Sequence, residues 1–216
     1  PLAGVIPLAP DRLAARAALK LPAQAEVVAV LPGSRESEIR SIAPRFLQAV
    51  RLMHAARPAL RFVLPSIPRL QPAVEAMVRR EGVAHLVDVL EGQSHQALAA
   101  CDATLIASGT ATLEAALFKR PMVIAYHMNA LSWQIMRRKK LQPWVGLPNI
   151  LCREFVVPEL LQNAATPAAL AQAVLAWLDD PAGVERLQSR FAQLHEDLRR
   201  DTAQLATHAI EGLLAS

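Results

Sequence analysis

Short apolar stretches that read as strands alternate along this chain with stretches of helical period, and that alternation is the pattern of parallel βαβ units. Strands are expected over residues 27–31, 60–64, 83–90, 103–107 and 121–126. The helical period falls between them, over 37–56, 68–80, 94–100, 110–118 and 129–141. After these the sheet reads as finished, and residues 144–152, with Gly146, Pro148 and Asn149, read as an irregular loop of functional character. Helices follow over 158–162, 167–178 and 184–214, with Thr166 and Asp180 placed as N-caps just before prolines. The expected fold class is α/β, a doubly wound parallel sheet with extra C-terminal helices.

A hydrophobic share of 53% over 216 residues is enough for one sizeable core. No apolar run approaches the roughly 20 residues a membrane span needs, so any membrane contact is expected to be peripheral. A net charge of +4 and an aromatic share of 4% give no stacking platform, and no nucleic-acid partner is expected. Cys101 and Cys152 have neither metal nor redox spacing, which points to a reducing, cytoplasmic setting without a disulfide. The chain begins at Pro1 without a signal-peptide pattern and reads as a piece of a longer protein. Arg137, Arg138, Lys139 and Lys140, flanked by Trp133 and Trp144, read either as a solvated helix end or as an anchor for anionic headgroups. The last helix carries a stripe of Leu187, Phe191, Leu194, Leu198, Leu205 and Ile210, which needs cover from this sheet, from a missing part or from a second subunit.

Two strands run directly into Gly/Ser turns that open helices: 27–31 into Pro32, Gly33, Ser34 and Arg35, and 103–107 into Ser108, Gly109 and Thr110. A helix N-terminus presents unpaired N–H groups and the positive end of a dipole, which together favour an anion. Gly33 lets the backbone approach a phosphate, Ser34 caps or donates, and Arg35 offers a planar fork that suits phosphate oxygens. Each turn alone also fits an ordinary N-cap. Glu114 stands four residues after Thr110, one too many for a capping box, so its carboxylate is a candidate acceptor for a ribose diol; the structural alternative is a first-turn acid favoured by the dipole.

Other chemistries lack their residues. His195 and Glu196 open a zinc-protease pattern, but position 199 is Arg rather than His. There is no Gly-x-Ser-x-Gly elbow, no Gly-x-x-x-x-Gly-Lys loop, no Gly-x-Gly-x-x-Gly fingerprint and no Asp-x-Asp pair, so neither a metal nor a cofactor is expected. His54, His85, His95, His127 and His208 are scattered and read as polar surface residues.

The run from Leu31 through Arg35 with Ser37, Glu38 and Ile39, the run from Ala107 through Glu114, Pro121 to Val123 with Tyr126, and Leu147 through Leu151 together resemble the lipid A disaccharide synthase family. That resemblance implies the donor-binding, Rossmann-like C-terminal half of a GT-B glycosyltransferase. Such an enzyme transfers 2,3-diacylglucosamine from UDP to 2,3-diacylglucosamine 1-phosphate, with inversion, at the cytoplasmic face of the inner membrane. Residues 1–25 become an interdomain segment, 26–143 the nucleotide-sugar domain, and 144–216 the part that completes the domain or a subunit interface. It further implies diphosphate at Gly33, Ser34 and Arg35, further contacts from Ser108, Gly109 and Thr110, the ribose at Glu114, and Asn149 reaching the donor or a neighbouring active site. The general base falls in the N-terminal half, the partner subunit of a homodimer can exchange C-terminal helices, and Lys or Arg is common where His127 stands. Another UDP-sugar enzyme of the same fold, an epimerase or a peptidoglycan glycosyltransferase, is the alternative; a noncatalytic nucleotide-binding module is the other.

Overall fold

Every residue of Val27–Leu31 (β1) is buried, because helices cover both faces of the sheet it joins. The computed structural model describes residues 2–127 and 142–199. Within them β1 lies between Arg61–Ser66 (β2) and Ala103–Ala107 (β4). Val87–Glu91 (β3) forms one sheet edge, and Met122–Tyr126 (β5) and Glu159–Leu161 (β6) extend the other side. The order is β3-β2-β1-β4-β5-β6 and every pairing is parallel. Strand order reverses between β1 and β4, and such switch points open a crevice at the carboxyl ends of the strands. Leu31 pairs with Ile106, so the two Gly/Ser turns leave the sheet side by side.

Alternate residues of each strand serve opposite cores, as the pleat requires. Val28, Val30, Phe62, Leu64 and Leu105 face a core completed by Glu36–Ala56 (α3), Gln71–Arg80 (α4) and Pro167–Asp179 (α8). Val27, Ala29, Val63, Ile106 and Ile124 face the other core. That core is closed by Leu2–Val5 (α1), Arg12–Ala18 (α2), Ser94–Ala100 (α5), Ala111–Leu117 (α6) and Pro181–Leu198 (α9). In α3 the buried residues Ile39, Ile42, Ala43, Phe46, Leu47, Val50 and Met53 recur at helical spacing and form one apolar stripe. Cys101 is wholly buried, and burial pushes its thiol up to about 12.

Thr166 and Asp180 cap their helices as expected, accepting from the N–H groups of Ala169 (3.2 Å) and Gly183 (2.8 Å). Three expectations are corrected. The strand expected over 83–90 begins only at Val87, because Val83 N–H returns to Val78 O and closes the turn after α4. The helix expected over 158–162 is instead β6, a sixth parallel strand paired with β5 through Ile124, Ala125 and Tyr126, so the sheet does not end at β5. The expected irregular loop over 144–152 contains a helix, Leu147–Cys152 (α7), opened by Pro148 near its start. Of the covers left open for the stripe on the last helix, this sheet supplies the one for its described part, with Leu187, Phe191 and Leu194 buried against the α6 side of the sheet. Leu205, Ile210 and the helix expected over 129–141 lie outside the described residues, as do Trp133, Arg137, Arg138, Lys139 and Lys140. Among the described residues no helix is long and apolar enough to cross a membrane.

The N-terminal segment is tied to the sheet by Arg16, only 2% exposed. Its Nε donates to Ala100 O (2.9 Å), Nη1 to Ala23 O (2.5 Å) and Nη2 to Asp102 Oδ2 (2.7 Å). Arg120 donates to Leu98 O and Ala99 O (both 2.8 Å), so two guanidinium groups satisfy the free carbonyls at the end of α5. Asp102 in turn accepts from Val27 N–H (2.8 Å) where β1 begins, and from Arg12 (2.8 Å).

Candidate functional site

The carboxyl ends of β1 and β4 open into a cleft of about 520 Å³. Gly33, Ser34, Arg35, Ser108, Gly109, Thr110 and Glu114 all line it, so seven of the eight residues expected from sequence converge on one cavity from two separate segments. Pro65 and Ser66 at the end of β2, Ile67 just after it, and Gly92 and Ser94 after β3 form its other wall. A groove of about 580 Å³ lies along the β3 edge; it is lined by Lys20, Glu75, Arg79 and Asp88, surface charges that offset one another, and it brings together none of the expected residues.

Gly33 has φ +113°, a backbone region that side chains rarely adopt, and a Cβ there would stand 2.7 Å from Glu38 Oε2. The turn therefore needs glycine for its own shape. It leads into a 21-residue helix that begins at the rim of the cleft, where Arg35 and Glu38 line it. Arg35 is 80% exposed and free to swing toward a ligand, while its Nη1 now pairs with Glu38 Oε1 at 2.8 Å. Oε2 of the same carboxylate accepts from the N–H groups of Ser34 and Arg35, both at 3.4 Å.

At the second turn Ser108 N–H is spent on Ala125 O (3.0 Å), and Thr112 Oγ1 donates to Gly109 O (2.7 Å). Gly109, Thr110 and Ala111 N–H groups have no acceptor among the described residues. Glu114, one turn into α6, has a side chain 20% exposed; His95 Nε2 on α5 stands 3.5 Å from its Oε2. The His95 ring is held by Phe118, with centroids 5.3 Å apart. Sequence reasoning missed His95, Ser66, Ser94 and the role of Glu38. Glu38 alone left a local signal, three residues after Arg35 at the start of an apolar periodic run.

Asn149 does not reach the cleft. It is fully buried, and its amide is used within the chain. Nδ2 donates to Val157 O and Glu159 Oε1 (both 2.9 Å), while Oδ1 accepts from Val157 N–H (3.0 Å). The Glu159 carboxylate also accepts from Val145 N–H and Gly146 N–H. This bracket holds residues 145 and 146 beside the second turn, where Ser108 Oγ makes a long contact with Val145 O (3.5 Å). Gly146 is required by close approach, since a Cβ there would collide with Ile124 Cδ1. His127 sits just beyond β5: Ser41 Oγ donates to His127 O (2.9 Å), so the 2.8 Å contact with Nδ1 is an N–H donation from the ring. Burial, with Arg45 nearby, lowers the pKa of this imidazole.

A family model described as lipid-A-disaccharide synthetase matches residues 1–210. The chain is similar to the lipid-A-disaccharide synthase of Albidiferax ferrireducens, 62% identical over 99% of this chain and 56% of that protein. It is also similar to the enzyme of that name from Verminephrobacter eiseniae, 57% identical over 100% of this chain and 56% of that protein. The chain thus spans about half the length of the curated relatives it matches. Among solved structures it is similar to WaaG, a glycosyltransferase involved in lipopolysaccharide biosynthesis, with TM-score 0.63 and 15% identity over 92% of this chain and 50% of that one. At that identity the likeness is one of fold, and the fold is one half of the GT-B arrangement.

Proposed function

The chain belongs to the lipid-A-disaccharide synthetase family, and on that premise we propose that it is the donor-binding half of a glycosyltransferase. The observation that carries the reading is the convergence of both Gly/Ser turns and Glu114 on one cleft at the topological switch point. The diphosphate of a UDP-sugar lies against the turns at 33–35 and 108–110. The ribose diol meets Glu114 one helical turn further on, and the wall of Ser66, Gly92 and Ser94 is left for the base. The sugar carried is 2,3-diacylglucosamine, passed with inversion to 2,3-diacylglucosamine 1-phosphate. The general base and much of the acyl-binding surface belong to the part of the protein that the longer relatives add.

As the glycosidic carbon leaves UDP, negative charge grows on the diphosphate. Backbone N–H groups of the two turns stabilise that charge where it appears, and Arg35 joins them once nucleotide is bound. The acylated substrates place the protein at a membrane surface, with Trp133 and the basic cluster at 137–140 as the contact.

The test uses Glu114→Gln with two ligands. Only UDP presents the diol; 2′,3′-dideoxy-UDP does not. UDP affinity is expected to fall about tenfold, as for loss of one charge-assisted hydrogen bond, while the dideoxy analogue changes less than twofold. Equal losses by calorimetry return Glu114 to a structural role.

A further inference from the structure

We propose that the Glu38 carboxylate is a built-in competitor of the diphosphate, filling the cradle of the first turn in the free protein and leaving it when nucleotide enters. This rests on the nucleotide reading above and adds to it an acidic side chain that opposes binding. Glu38 lines the cleft together with the turn it fills. One oxygen is shared between the N–H groups of Ser34 and Arg35, and the other holds the Arg35 guanidinium. These are the donors that a phosphate oxygen would take.

The hold is loose where the backbone makes it. Both N–H contacts are 3.4 Å, well beyond the usual 2.9–3.0 Å of such bonds, whereas the bond to the exposed Arg35 side chain is 2.8 Å. A carboxylate and a diphosphate cannot share these donors, since two anions at contact repel strongly in a partly dry cleft. The side chain has somewhere to go, being 21% exposed at the surface end of α3. Arg35 then turns from Glu38 to the phosphate. On the return path the same carboxylate re-enters the cradle and hastens UDP release.

A cap role alone predicts something different, because a third-position Glu commonly accepts from the N-cap N–H. Glu38→Gln separates the two roles: its amide oxygen still accepts, and only the charge is lost. In the full-length protein this variant is expected to bind UDP about tenfold more tightly, with a lower dissociation rate, while uridine affinity stays within twofold of wild type. Glu38→Ala removes the cap as well; it is expected to tighten UDP similarly and to lower the melting temperature. Wild-type UDP binding that Glu38→Gln leaves unchanged or weakens overturns the competitor role alone, since Glu38 then stays in place and orients Arg35. Absence of UDP binding in wild type and both variants overturns the nucleotide reading and this proposal together.

Discussion

Replacing Arg16 with Met is expected to cost about 3–5 kcal/mol of folding stability, the loss seen when one partner of a buried charge pair is removed. The apolar stem is kept, but Ala100 O and Ala23 O lose their donor and Asp102 loses its buried partner. Arg12→Met on the same carboxylate is expected to cost under about 1 kcal/mol, because Arg12 is 46% exposed and solvent screens its pair. Urea titration of both variants checks the contrast. Comparable losses would mean that Arg16 does not anchor the N-terminal segment. On a domain whose total stability is about 5–15 kcal/mol, the Arg16 loss reaches a large share of the whole.

The bracket around Asn149 carries the second large effect. Asn149→Ala leaves the N–H and C=O of Val157 unpaired in a fully buried site and takes one of its donors from Glu159. At about 1–3 kcal/mol for each stranded group, the expected loss is about 2–6 kcal/mol. Asn149→Asp is expected to be worse, since it sets a carboxylate against Glu159 Oε1 and Val157 O. In protein kept folded at low temperature, UDP affinity should change less than threefold. A tenfold loss of UDP affinity with unchanged stability would instead give Asn149 a direct place at the donor.

These two residues show where the sequence stops being legible. The β1 and β4 junctions were readable because strand, turn and helix start are contiguous, so Gly33 through Arg35 and Ser108 through Thr110 carry their chemistry in a few adjacent letters. Glu114's place in the cleft was readable because it lies one helical turn beyond the second Gly/Ser turn. Asn149 was not, because its partners Val157 and Glu159 are fixed by the return of the chain to the β5 edge, which no local pattern encodes. β6 has the same cause: Pro158 fits a helix start as well as a strand entrance, and three residues become a strand only where Ile124, Ala125 and Tyr126 offer a ladder. Arg16 meets Ala100 and Asp102 across more than eighty residues of sequence, and helix period alone marks it as one more surface cation. The stripe of Leu187, Phe191 and Leu194 was visible, but which of three covers it meets was not. Periodicity shows that a face is apolar without showing what it meets.

UDP calorimetry on the full-length protein, wild type against Arg35→Ala, tests the central claim most directly. The account predicts saturable binding by wild type and a loss of about 1.5–3 kcal/mol in the variant, a dissociation constant raised roughly 10- to 150-fold, with uridine affected less than twofold. An unchanged UDP dissociation constant in a folded Arg35→Ala protein would contradict it, because the first turn would then not hold the diphosphate.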